Sequence, residues 1–418
     1  MKICFVGTFP PSWRQLNEYS FHIAKELQRD PLLSLTIISD QLDEPAPELP
    51  GFDVVRVWKF NDWKNPFKIL KAIRECKPDV VWFNLVFSSF GTPDHPFAAF
   101  AGLCTPLLLR LNGFYTHITL HHLMEHVDFT HANISGLKEK IFRFASTITT
   151  RILLMANSLS VLLPGYRTTL VQKYRGDWVH FRNHGIFSKP EPPRFDKRNN
   201  PERSMLAIGH WGTYKRLELL LEAFPLIKAK CPDAVLYVAG ADHHTCQGYS
   251  QQLAEKYKYE PAIRWLGYVA EEDIPELFMR TSLMVMPYSS STGASGPAHQ
   301  SCEYGVPIVC SEIPEFREMA EYEGMAIDFY RNGDVEDLAN KCAAVLSDLE
   351  KQKLMAEQNF SAGIRMTMPE IIHSYLRNFD FHRRAKMLEK IAKLRTLPNW
   401  VPSRSLLYKS ARAGMTWQ

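Results

Sequence analysis

The chain lacks several features that would have fixed its class at once. It has no paired cysteine motif. Its eight cysteines (Cys4, Cys76, Cys104, Cys231, Cys246, Cys302, Cys310, Cys342) are scattered, and most sit in apolar runs. They read as reduced core thiols, not as disulfide partners or zinc ligands. No uncharged run reaches the roughly 18 residues that a spanning helix needs. No strong charge of either sign is present: the net charge is +4, which makes no case for nucleic acid as a partner. No Asp-x-Asp pair occurs, so a diphosphate clamped through a carboxylate-held metal is not expected, and no metal is expected. Met1 to Gly7 carries one positive charge and a short apolar run before Pro10-Pro11, which is a buried first strand rather than the apolar stretch of a leader. The expected location is cytoplasmic, with peripheral contact at the inner face of a membrane through a basic C-terminal tail.

What is present is a long chain of 418 residues, 45% hydrophobic and 22% charged. Single cores rarely grow past about 250–300 residues, so two packed domains are expected. Strand and helix patterns alternate along both halves. In the first half, strands read at Ile3–Val6, Leu35–Ser39, Val54–Trp58, Asp79–Phe83 and Tyr115–Leu120. Helices read at Glu18–Leu27, Phe67–Cys76 and His95–Leu111. In the second half, strands read at Ser204–Ile208, Ala234–Ala239, Ile263–Leu266, Leu283–Pro287 and Ile308–Cys310. Helices read at Leu217–Lys230, Ser250–Lys258, Glu271–Met279 and Val335–Leu346. Such alternation predicts two doubly wound parallel sheets, an α/β fold of two Rossmann-like domains facing a cleft. The division predicted is 1–187 for an N-terminal acceptor-side domain and 188–202 for a proline-rich linker. A nucleotide-binding domain follows at 203–369, then helices and a basic tail at 370–418 that return to the N-terminal domain.

The most informative stretch is Ser291–Val309, a glycine-rich loop that runs into a short helical pattern stopped by Gly305. Small residues at a helix start let backbone N–H groups approach a phosphate, and the helix dipole favours its charge. A second loop of this kind, Gly209-His-Trp-Gly-Thr-Tyr-Lys215, follows a strand and opens a helix. Gly209 and Gly212 would let it turn tightly, and Lys215 in the first helical turn would neutralise a diphosphate. Two such loops in one half-chain point to a nucleotide diphosphate.

The densest histidine cluster is His117, His121, His122 and His126. His122-Leu-Met-Glu-His126 matches the H-x-x-E-H pattern of inverted zinc proteases, which needs a helix and a third ligand. Here a strand runs into His121, and no third ligand is evident. His121 at a strand's carboxyl end, facing the cleft, is the better functional reading.

Taken together, these residues resemble a retaining glycosyltransferase of the GT-B fold, in glycosyltransferase family 4 (group 1). The resemblance covers residues 1–380 in layout and is strongest over 204–319. Gly209–Lys215 resembles the family's strand–G-[R/K]-x4-K–helix loop, with Lys215 on the lysine and His210 where Arg or Lys is usual. Leu219–Phe224 resembles the helix that follows. Trp265-Leu-Gly-Tyr-Val269, with Gly267, resembles the segment near the nucleobase. Glu303–Val309 resembles the end of E-A-x-A-x-G-x-P-V-V, and Thr119-Leu-His121 the strand-end histidine that faces the donor sugar. Asn183-His-Gly-Ile186 resembles the hinge. The match departs at the E-x7-E glutamates, which fall on Thr292 and Gln300, and at the N-terminal glycine pair, where Gln15-Leu16 stands.

The resemblance implies transfer of a hexose-type sugar from a nucleotide diphosphate sugar, UDP- or GDP-linked, to an acceptor (glycan, lipid or small molecule), with retention and without a cofactor. Lys215 and His121 would be catalytic. Gly209, His210, Gly212, Gly267, Gly293, Ala294, Ser295, Gly296, Gln300 and Glu303 would bind the donor. Phe9, Trp13 and Asn17 would lie on the acceptor side. The competing readings are a protein that binds a nucleotide sugar without transferring it, a GT-B epimerase or phosphorylase, and a zinc hydrolase.

Overall fold

The computed structural model describes residues 1–395 except 13, 45–46, 48, 93, 127–135, 189–202, 244–245 and 292. Trp13, Thr292, the linker beyond Ser188 and the tail beyond Arg395 therefore lie outside the described residues.

The first half runs β1 (Lys2–Val6), α1 (Asn17–Leu27), β2 (Ser34–Asp40), β3 (Val54–Trp58), α2 (Asn65–Cys76) and β4 (Val80–Leu85). It continues through α3 (Pro96–Leu103), α4 (Thr105–Leu111), β5 (Thr116–Leu120), α5 (Leu137–Leu153), β6 (Ser158–Val161), α6 (Pro164–Tyr174) and β7 (His180–Phe181). These strands form a seven-stranded sheet in the order β3-β2-β1-β4-β5-β6-β7, every neighbour parallel.

The second half runs β8 (Arg203–Ile208), α7 (Leu217–Lys230), β9 (Ala234–Ala239), α8 (Tyr249–Lys256), β10 (Ile263–Gly267), α9 (Ile274–Met279) and β11 (Leu283–Met286). Then come α10 (Gly296–Glu303), β12 (Ile308–Ser311), α11 (Pro314–Glu323), β13 (Ile327–Tyr330), α12 (Val335–Ser347), α13 (Leu349–Ile364) and α14 (Met368–Arg395). The sheet order is β10-β9-β8-β11-β12-β13, again all parallel. Two doubly wound domains of this kind are the GT-B architecture.

Strands covered on both faces read as near-continuous apolar runs, and β4 and β11 are buried at every position, Asn84 being the one polar side chain in the two. Right-handed crossovers then put α2, α3, α4 and α5 on one face of the first sheet and α1 on the other. α14 packs beside α1, although it follows the second sheet in sequence. Tyr375 and Phe379 of α14 meet Trp82 on β4 at ring distances of 4.5 and 5.4 Å.

The two crossings between domains run side by side. Ile186 N–H donates to Met366 O (3.0 Å), and Met368 N–H donates back to Ile186 O (3.1 Å). One apolar core extends across this crossing, from Phe5 and Trp82 to Met286 and Tyr288.

The single helix expected over His95–Leu111 is two helices. α4 begins at Thr105 after Cys104, with Pro106 in its first turn, where the missing N–H removes nothing but the bond to the preceding turn. The expected alternation also omits α5, β6, α6, β7, α11, β13 and α13.

Candidate functional site

Each sheet reverses its strand order once, between β1 and β4 and between β8 and β11. The crevice beyond the carboxyl ends at such a reversal is where open α/β sheets take ligands. Gly209 follows β8 there, and Tyr288 lies just beyond β11.

Lys215 is buried between them, 9% exposed, with its ammonium 5.0 Å from the centre of the Tyr288 ring. Gly209 has φ 152°, and a Cβ at that position would lie 2.5 Å from the Lys215 Nζ. A side chain at 209 would press on the lysine end, and the positive φ itself favours glycine. Burial lowers its pKa to about 8. Ser289 N–H donates to Tyr214 O (2.8 Å), which ties the loop after β11 to the loop after β8.

Two details differ from the sequence expectation. Lys215 ends a 3-10 turn, Thr213–Lys215, ahead of α7, and Arg216 caps the helix with φ 43°. Gly212 is extended at φ −166°, so it makes no tight turn. His210 is exposed at the loop tip, and Gly267 ends β10, where its carbonyl accepts from Gly240 N–H (2.6 Å).

The second loop reaches the other domain. A Cβ on Gly293 would lie 2.5 Å from the carbonyl oxygen of His121. Ala294 and Gly296 are half-buried, and Ser295 caps α10, its Oγ accepting from Ala298 N–H (3.4 Å). Gln300 is half-buried on α10.

His121 leaves β5 and is buried. Asn84 Nδ2 donates to Ser20 Oγ (3.0 Å), so its Oδ1 is the acceptor for His121 Nε2–H at 2.6 Å. That leaves Nδ1 as a lone-pair acceptor. Burial and the neighbouring His122 lower the His121 pKa to about 3, so the ring is neutral at any working pH.

A chain of rings continues from it across the domain boundary. Tyr19 meets His121 at 4.8 Å and His184 at 4.6 Å, and its hydroxyl donates to His184 O (2.8 Å). His184 meets His299 at 4.6 Å. His299 Nδ1–H donates to Ser295 O (2.7 Å), and Nε2 is ion-paired with Glu323 Oε2 at 3.0 Å. Tyr19, Asn84, His299 and Glu323 carry no local signal, because each is recruited by contacts distant in sequence. His184 lies in the Asn183–Ile186 segment, where a histidine beside the hinge glycine was the one available cue.

Glu303 is buried near the end of α10. Its carboxylate accepts from Phe187 N–H (3.1 Å) and from the Ser188 hydroxyl, so it is engaged at the hinge. Burial raises its pKa, and those two bonds oppose the rise. Phe9 is removed from contact with an acceptor. It is wholly buried, with its ring 5.3 Å from Phe52 and 6.1 Å from Phe21. Asn17 Nδ2 donates to Ser12 O (2.6 Å), and Ser12 donates to buried Asp40 (2.6 Å), which together fix this loop. Leu16, where the resemblance expects glycine, still holds the left-handed conformation at φ 71°.

The H-x-x-E-H segment is not a metal site of the helical kind. Only Met124–His126 forms a 3-10 turn. Glu125 accepts from Lys173 and Tyr174, and His126 bonds Thr169 at 2.9 Å.

Residues 202–348 match the family model described as Glycosyl transferases group 1. The chain is 27% identical over 186 residues to an uncharacterized glycosyltransferase, YqgM, of Bacillus subtilis, covering 44% of this chain and 50% of that protein. It is 29% identical over 123 residues to the O-antigen chain mannosyltransferase B of Escherichia coli, covering 29% and 32%. The chain thus spans half or less of the curated relatives it matches. Among solved structures, the sucrose-phosphate synthase of Thermosynechococcus elongatus superposes with TM-score 0.73 at 13% identity, covering 92% of this chain and all of that one. Anabaena HepE in complex with UDP and glucose superposes with TM-score 0.66 at 17% identity, covering 91% and 99%. The fold is GT-B, and residues 202–348 carry the similarity to the group 1 glycosyltransferases.

Proposed function

We propose that this GT-B protein moves a hexose-type sugar from a nucleotide diphosphate sugar to an acceptor, with retention of anomeric configuration. The observation that carries the reading is Lys215: a buried ammonium at the strand-order reversal, beside Gly209 and engaged by no described carboxylate. Cleavage of the donor bond builds negative charge on the leaving diphosphate. A fixed ammonium beside it favours that state over the ground state. The backbone N–H groups of Gly293–Ser295 would add to it. His121, neutral and oriented by Asn84, would accept a hydrogen bond from a hydroxyl of the donor sugar through Nδ1 and so orient the sugar. The UDP named in the Anabaena complexes supports a UDP-linked donor, and the mannosyltransferase similarity supports a hexose.

The buried carboxylates Asp40, Glu303 and Glu323 are engaged with Ser12, the hinge and His299. With no protein nucleophile assigned, retention would rely on the leaving phosphate oxygen activating the acceptor on the same face. No metal or cofactor enters the reading. The domain that meets the donor would be 203–369, and the acceptor side 1–187.

Titration with UDP, GDP and ADP and their sugars tests this, followed by donor turnover. Lys215→Ala should weaken nucleotide diphosphate binding by roughly tenfold or more and reduce turnover further. Unchanged binding would remove Lys215 from the phosphate. Failure of every nucleotide sugar to bind would end the reading. Binding without turnover across acceptor panels would favour the non-transferring alternative, which Gln300 in place of a carboxylate motivates.

A further inference from the structure

We propose that the face built by α2, α3, α4 and α5 docks on an anionic lipid surface. The leading observation is that α5 is inside out over residues 141–150, before Leu153 returns to the core. Ser146, Thr149 and Thr150 turn inward, while Ile141, Phe144 and Ile148 turn to solvent. A helix that only covers a sheet does the reverse. Two of the inward hydroxyls are satisfied within the helix, Ser146 donating to Arg143 O and Thr149 to Ala145 O, while the Thr150 hydroxyl is buried without a partner among the described residues. The outward residues recur at i, i+3 and i+7, one stripe of one helix face, and Phe144 is 67% exposed.

The apolar stripe continues onto neighbouring helices. α3 packs against α5 and carries Phe97, 66% exposed, and α2 packs against α3 and carries Phe67, 61% exposed. Trp63, just before α2, has its ring 6.3 Å from that of Phe97.

The segments that build this face are basic. Residues 62–77, 96–111 and 137–153 hold ten lysines and arginines against Asp62, Glu75 and Glu139, a net +7. The whole chain is +4, so the remainder is −3. The small overall charge therefore conceals a polarised molecule.

This mixture selects the occupant. The core of a protein–protein interface is depleted of lysine, whereas a membrane-surface helix sets Trp, Phe and Leu beside Lys and Arg. Here exposed Lys64, Lys71, Lys140 and Arg151 stand among the exposed rings. Among the described residues no helix is long and apolar enough to cross a membrane, so the contact is with the surface.

Flotation of the full chain tests the proposal, with vesicles of phosphatidylcholine alone and with about one-third phosphatidylglycerol, at low and high salt. The chain should float with the anionic vesicles only, and salt should weaken it. The double variant Ile141→Glu, Phe144→Glu should lower the bound fraction by roughly tenfold with an unchanged melting temperature, because both side chains are exposed. A full-length variant carrying Arg404→Glu, Lys409→Glu and Arg412→Glu should still float. No flotation with anionic vesicles overturns the proposal. So does loss in the tail variant with retention in the α5 variant. A self-association that the α5 variant dissolves while flotation persists overturns it as well.

Discussion

Gly293 and His121 stand on different domains, yet a side chain on Gly293 would be forced against the His121 carbonyl. A Cβ there would lie 2.5 Å from that oxygen, and the atom to be displaced is backbone, which cannot rotate away. The glycine is needed for close approach of two loops, one leading into α10 and one leaving β5.

Gly293→Ala should therefore part these loops without unfolding either domain. We expect kcat/KM to fall by about tenfold or more, equivalent to about 1.4 kcal/mol in the transition state. Affinity for the free nucleotide should change much less, since Lys215 and Gly209 are untouched. Steady-state kinetics beside calorimetric titration would check this. Equal losses in both would mean that Gly293 serves nucleotide binding alone.

Glu303 gives a second separation. Its carboxylate accepts from the Phe187 amide and the Ser188 hydroxyl at the domain crossing. Glu303→Ala leaves a part-buried N–H without its partner, a loss of about 1 kcal/mol of stability. The melting temperature should fall by a few degrees, while nucleotide affinity in the surviving protein stays within about threefold. A large loss of affinity with unchanged melting would return Glu303 to the donor.

The sequence made the sheets legible because parallel strands covered on both faces read as apolar runs, as Val80–Phe83 and Leu283–Met286 do. It also marked Gly209, Lys215, His121 and Gly293 as candidates, because a glycine-rich loop after a strand and a histidine at a strand end are visible in the chain itself. The engagement of Glu303 at the hinge could not be read, because helix register alone does not show which way the helix is turned. Phe9 misled because a loop aromatic next to Pro10 can fold back onto Phe21 and Phe52. The ring chain from Tyr19 to Glu323 could not be read, since it joins α1, the hinge, α10 and α11. α5 escaped notice because its apolar period marks the face away from the core.

His299 makes stability depend on pH. Burial pushes its pKa down, but Glu323 at 3.0 Å, with the Ser295 carbonyl, more than offsets this, and the net shift is upward. A raised histidine pKa contributes stability that is complete below the unfolded value of about 6.5 and is lost as pH rises through the folded value. His299→Gln should therefore be most destabilising near pH 6, and its deficit relative to the parent should shrink as pH rises. Lys215 acts oppositely: its pKa of about 8 penalises folding below that value, and the penalty fades toward pH 10.5. Denaturant melts of parent and variant across pH 6–9 would isolate the histidine, because Lys215 is common to both. A deficit that grows with pH would contradict the ion pair.

Tyr288 tests the phosphate site from its other side. Its hydroxyl is buried without a hydrogen-bond partner among the described residues, and its ring lies 5.0 Å from the Lys215 ammonium. The hydroxyl also sits 3.5 Å from the Cβ position of Gly209, at the edge of the crevice. An unpaired buried donor costs stability in the free protein and gains a partner only when a ligand supplies an acceptor. Tyr288→Phe should therefore leave the free protein as stable as before, or more so. If a diphosphate oxygen is that acceptor, the same change should weaken nucleotide diphosphate binding by roughly five- to tenfold, the effect of one hydrogen bond. Nucleoside binding without phosphates should not change. Melting curves of the free protein and titrations with diphosphate and nucleoside would decide it, and equal affinity for the diphosphate in both proteins would show that the hydroxyl does not reach the ligand.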